Sequence, residues 1–221
     1  MCGKFTQMMA WSKLVELSDL IKSIDTGATE MATPMRVASV IRLDKDGKRV
    51  AARQRWGLVP PGARDPSIGT QFIHARAETI DQRPTYRDAF LHRRGLLVVK
   101  TFNEGKEITP TKTEQHVITP RDGKPIAIGV IWERWGEPHA GALETFAMVT
   151  VPANKLIGTI TDRMPAVIPY EDWSKWLGEE FANVEELKAL LKPFEGDWDM
   201  EAAPRAKRPP PRKPDAQPDL F

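Results

Sequence analysis

Cysteine is all but missing: Cys2 is the only one in 221 residues. One thiol excludes an internal disulfide and any zinc site built on cysteine pairs. Histidine is scarce too, and His74, His92, His116 and His139 show none of the paired spacing of a zinc ligand set. Neither a metal nor another cofactor is expected. Long apolar runs are absent. Nothing approaches the roughly 18 consecutive apolar residues of a membrane span, and the opening MCGKFTQ lacks the apolar core of a secretion signal. The expected location is the cytoplasm, with no membrane partner.

A surplus of one charge sign is missing as well. The formal net charge is +2, and Ala203 to Phe221 gathers Arg205, Lys207, Arg208, Arg212 and Lys213 against only Asp215 and Asp219, which leaves the body close to neutral. Such a body has no broad basic face, so any nucleic-acid site has to be a local groove. Candidate basic clusters are Arg53, Arg55, Arg76, Arg83 and Arg87, then His92, Arg93 and Arg94. The alternative for such clusters is a solvated surface.

What is present suffices for one core, since 41% of the residues are hydrophobic and 28% charged. Apolar residues recur at helical spacing from Met8 to Ile24, which predicts an amphipathic helix. Val37 to Leu43, the turn Asp44-Lys-Asp-Gly and Arg49 to Val59 predict a hairpin. Leu96 to Phe102, Ile126 to Trp132 and Thr145 to Val151 read as further strands. Pro84 to His92 reads as a short helix with proline in its first turn, and Tyr170 to Leu177 and Val184 to Leu191 carry helical periodicity. No βαβ unit repeats, so the predicted class is α+β around mainly antiparallel strands. Trp132, Trp135, Trp173 and Trp176 are expected to be packing residues. The domain is expected to span residues 1–200 and to act as a monomer. Residues 201–221, rich in proline and charge, are expected to be an extended, disordered tail.

The chemistry points to Cys2. Removal of Met1 would leave a free α-amine beside the thiol, and a 1,2-aminothiol can condense with an aldehyde and close a five-membered thiazolidine ring. The alternative is a terminal cysteine buried as a small hydrophobe. MCGKF at the start, RWGLVP at Arg55 to Pro60, ARAET at Ala75 to Thr79, and PAN with DRMP at Pro152 to Asn154 and Asp162 to Pro165 follow in order. Together these blocks resemble the SOS-response-associated peptidase family (SRAP), over roughly Met1 to Leu177.

The resemblance implies a mainly antiparallel, barrel-like β core with flanking helices. It also implies a protein that traps abasic sites in single-stranded DNA as a covalent crosslink through Cys2, in the DNA-damage response and near the nucleoid. Glu104, at the end of Arg93-Arg94-Gly-Leu-Leu-Val-Val-Lys-Thr-Phe-Asn-Glu, stands where the family has a glutamate, a suitable acid/base for imine formation and ring closure. Two positions depart from the family's pattern: His74 stands for an asparagine and Thr161 for a histidine. The expectation is that His74 supplies the lost imidazole, with Thr161 as a small hydroxyl partner. Arg76 and Trp56 lie in matching blocks and are residue types that grip phosphate and stack on bases. Arg163 could contact DNA or pair near Asp162 in the core. Pro34 matches a family proline, whereas Met31 stands where asparagine is common. The resemblance also implies an enzyme with (auto)peptidase activity and lyase-like chemistry. The alternatives are a divergent paralogue that binds single-stranded or damaged DNA without a covalent bond, and a thiol peptidase acting on itself or on peptides.

The last residues, Gln217-Pro-Asp219-Leu220-Phe221, resemble the pentapeptide by which bacterial repair and replication proteins dock on the DNA sliding clamp. Leu220 and Phe221 would be the apolar anchors. The alternative is an ordinary disordered terminus.

Overall fold

A computed structural model of the chain describes residues 4–7, 30–136 and 141–203. In chain order the strands are β1 (Lys4–Gln7), β2 (Glu30–Ala32), β3 (Val37–Leu43), β4 (Arg49–Trp56), β5 (His74–Arg76), β6 (Arg94–Val99), β7 (Thr101–Thr109), β8 (Lys112–Pro120), β9 (Ile126–Trp135), β10 (Leu143–Pro152), β11 (Arg163–Pro165) and β12 (Trp198–Ala202). The helices are α1 (Pro84–His92), α2 (Trp173–Leu177) and α3 (Val184–Ala189).

Five strands run β10-β4-β3-β6-β9, and pairing of β9 with β10 closes them into a barrel. The neighbours are antiparallel except β10 and β4, which pair in parallel at Thr145–Arg55 and Phe146–Trp56. Closure removes the open edges that a sheet otherwise presents. β6 is buried along its whole length. Its Gly95 has no room for a side chain, because a Cβ there would lie 2.7 Å from Val40 and 3.0 Å from the Ile41 carbonyl oxygen. A second, antiparallel sheet runs β12-β8-β7-β1-β2.

The expected hairpin is present. Its turn is held by Asp44, whose Oδ1 accepts from the N–H groups of Asp46 and Lys48, with Gly47 at φ 73°. α1 keeps its expected bounds. Tyr170 to Leu177 divides into a 3-10 turn (Tyr170–Asp172) and α2, and α3 stops at Ala189 rather than Leu191.

Three expectations need correction. Leu96 to Phe102 is not one strand: the chain leaves the barrel at the exposed Lys100 and enters the second sheet as β7. Order also continues past residue 200, because β12 runs to Ala202, paired with β8 from Trp198↔Pro120 to Ala202↔His116. The basic cluster Arg93 and Arg94 is structural. The buried Arg94 donates to the carbonyls of Trp176, Phe90 and Leu91, and Arg93 pairs with Asp88 and Glu133. Trp173 and Trp176 are core residues, as expected, each donating its indole N–H to a backbone carbonyl. The helix expected over Met8 to Ile24 lies outside the described residues, as do Cys2 and the tail motif Gln217, Asp219, Leu220 and Phe221. Among the described residues no helix is long and apolar enough to cross a membrane.

Candidate active-site cleft

β10 organises the site. Along one edge it pairs in parallel with β4 and then, from Met148 to Thr150, with β5. Along the other it passes from β9 to β11, with Thr150 opposite Pro165 and Pro152 opposite Arg163. The three residues of β5 are further held by Met148 N–H to the Ile73 carbonyl (3.0 Å), Ala77 N–H to that of Thr150 (2.9 Å), and the Tyr86 hydroxyl to that of His74 (3.0 Å). Burial pushes the Tyr86 phenol up, so it stays neutral and keeps this donor.

Beside β5 lies a cleft of about 590 Å³ lined by Thr70, Gln71, Phe72, Ile73, His74, Arg76, Thr79, Arg83, Tyr86 and Thr150. Among the described residues its ionisable groups are two arginines, one histidine and one neutral phenol, with no carboxylate. Arg76 and Arg83 are exposed at its mouth, an arrangement suited to a polyanionic backbone. Arg83 was legible only as part of a basic cluster.

Trp56 does not line this cleft. It is fully buried, donates from Nε1 to the Ile73 carbonyl (2.8 Å), and packs on Phe5, Phe146 and His74 with ring centroids 5.1, 6.3 and 5.9 Å away. A ring with no open face cannot stack on a base, so its role as a platform is withdrawn. It instead connects two parts of the site. Phe5 of β1 lies opposite Phe102 of β7, so the N-terminal strand touches, through Trp56, the wall that carries His74.

Glu104 lies on β7, only 1% exposed. Lys4 pairs with its neighbour Asn103, so the chain enters the second sheet beside this carboxylate. Thr161 is half-buried in the turn before β11, its N–H bonded to the Ile157 carbonyl (3.1 Å), and the ladder puts it on the opposite edge of β10 from His74. Pro34 is in the turn Thr33 to Arg36, followed by Met35 at φ 68°, whose N–H donates to the Trp56 carbonyl (2.8 Å).

Arg163 is resolved in favour of an internal pair, though not near Asp162. It is 7% exposed, grips Glu78 with two nitrogens, and donates to the Thr150 carbonyl (2.7 Å). The Arg163 guanidinium holds the Glu78 carboxyl below the usual range, and Lys188 does the same for Asp81 at 2.6 Å. Two cations thus brace the segment between Arg76 and Arg83. Sequence separations of 85 and 107 residues gave no signal of either contact.

The profile of the family described as SOS response associated peptidase (SRAP) matches residues 1–207. The chain belongs to the SRAP family. Similar SRAP relatives include the abasic site processing protein YoqW of Bacillus subtilis (strain 168), 30% identical over 206 residues and 91% of each chain. Another is YobE of the same organism, 29% identical over 91% of this chain and 93% of its own. A crystal structure of a protein from Bordetella bronchiseptica, 21% identical, superposes with a TM-score of 0.76 over 92% of this chain and 100% of that one. At that identity the likeness concerns the fold. Within this SRAP chain, ARAET and DRMP are joined physically, since Glu78 belongs to one and Arg163 to the other. Asn154 of PAN accepts from the Ile157 N–H (2.9 Å) and donates to the Phe194 carbonyl (2.9 Å).

Proposed function

We propose that this protein processes abasic sites in single-stranded DNA by forming a covalent crosslink through Cys2 after removal of Met1. The α-amine adds to the ring-opened aldehyde of the abasic sugar, water leaves to give an imine, and the thiol adds to the imine carbon to close a thiazolidine. Glu104 moves the protons that loss of water and ring closure require. His74 assists from the cleft wall in place of an imidazole at position 161, where Thr161 offers a hydroxyl. Arg76 and Arg83 hold the phosphates, with Pro34 as a flanking wall.

The observation that carries this reading is the pairing of Lys4 with Asn103, next to the buried Glu104. The names of the Bacillus relatives support the same substrate. The test is denaturing gel electrophoresis of Met1-processed protein with single-stranded DNA carrying one abasic site. A band that requires both Cys2 and the lesion is expected. Its loss with native-gel binding retained would leave a noncovalent DNA-binding relative, the reading that the residues at 74 and 161 favour.

The tail is proposed to dock on the DNA sliding clamp through Gln217, Asp219, Leu220 and Phe221, raising the local concentration of the domain on DNA. A tail peptide should bind the clamp, and Leu220→Ala with Phe221→Ala should abolish binding. No binding at high micromolar peptide would remove this proposal.

A further inference from the structure

We infer that His116 acts through Glu104, carrying protons between that buried carboxylate and solvent during the crosslinking reaction proposed above, on which this inference rests. In the antiparallel pair of β7 and β8, Glu104 lies directly opposite His116. Opposed residues share a face of the sheet, with Cβ atoms about 4.5–5.5 Å apart. One rung inward on that face are Phe102 and Ile118, both fully buried; one rung outward are Lys106 and Glu114, both exposed. The acid and the imidazole therefore form the rung between core and water.

Glu104 is 1% exposed, and an acid/base group so enclosed needs a neighbour through which to exchange protons with bulk water. The His116 side chain is 13% exposed, and its Nε2 lies 3.8 Å from Oε2 of Glu114, whose side chain is 51% exposed. Its Nδ1 is buried and has no hydrogen-bond partner among the described residues. β12 brings Ala202, not a charge, to its other side. A neutral imidazole protonated at Nε2 offers a lone pair at Nδ1. A proton leaving Glu104 adds to Nδ1, and the imidazolium releases the Nε2 proton to Glu114 or water. One proton moves, nothing is oxidised, and the reverse sequence reprotonates Glu104. Rotation of the ring, or one bridging water, spans the remaining distance to the carboxylate.

The test uses the full, Met1-processed chain and measures two quantities: the rate of adduct formation on abasic single-stranded DNA, and the affinity for the same DNA bearing a tetrahydrofuran analogue that has no aldehyde. His116→Ala should slow the adduct about tenfold with affinity and melting temperature unchanged, and added imidazole should restore part of the rate. His116→Gln, which fills the space but cannot relay, should be as slow, and it keeps the test available if the alanine variant does not fold. In a Glu104→Gln background, loss of His116 and addition of imidazole should change nothing. Wild-type speed in His116→Ala or His116→Gln, or an equal loss in the Glu104→Gln background, would overturn the relay alone. If wild type forms no adduct, the crosslinking reading falls and takes the relay with it.

Discussion

Gly57 and Gly69 show how closely backbone meets backbone beside the cleft. A Cβ on Gly69 would lie 2.5 Å from the Gly57 carbonyl oxygen, and Gly57 has φ 132°, a left-handed conformation that side chains rarely adopt. The RWG of RWGLVP is thus an architectural motif: Trp56 is core and Gly57 is a contact point. Glu78 of ARAET has a comparable task, neutralising the guanidinium of the buried Arg163. Its folded pKa lies below the unfolded one, so its stabilisation is complete above the ordinary glutamate range and is lost as pH falls through the folded value. Glu78→Gln should cost about 1 kcal/mol near neutral pH, a modest figure because the side chain is half exposed and screened. The difference from wild type should shrink as pH falls below the ordinary glutamate range and the Glu78 carboxyl takes up its proton in the folded protein. Thermal unfolding of both proteins as a function of pH measures this, and parallel curves would mean that the pair contributes nothing.

α3 is short, yet it reaches the site. Its start is a capping box: Asn183 accepts from the Glu186 N–H (2.9 Å), and Glu186 accepts from the Asn183 N–H (2.8 Å). From its last turn Lys188 pairs with Asp81 and donates toward the Glu78 carbonyl. Asn183→Ala should cost about 1 kcal/mol by removing the cap, read as a lower denaturant midpoint at unchanged slope; an unchanged midpoint would contradict the capping role. This helix was legible because its periodicity is plain, as were α1 with its N-terminal proline and the β3–β4 hairpin with its Asp-Lys-Asp-Gly turn. β5 and β11 were not legible, being three residues each, too short for any period to register. β8 was missed because its first half, Lys-Thr-Glu-Gln, is exposed and polar. The break between β6 and β7 was hidden because apolar residues continue on both sides of Lys100.

Barrel closure was not visible in the sequence, since β9 meeting β10 and β10 running parallel to β4 are long-range facts that local patterns do not carry. The mainly antiparallel class followed from the absence of a repeated βαβ unit and the barrel-like core from the family resemblance, and the strands around β10 bear out both. Of the candidate site residues, Arg76 and His74 share one cleft and Glu104 adjoins the N-terminal strand. Trp56 and Arg163 are framework, because residue type alone does not distinguish a surface aromatic or cation from an enclosed one. The order in which β10 acquires its partners bears on synthesis. β5 has its ladder partner only once residues 148–150 have been made, more than 70 residues after His74 itself, and long-range parallel pairing is slow to form. A nascent chain therefore lacks the ladder partner of the segment that carries His74 and Arg76 until residue 150 has been made, so the cleft cannot be complete before then.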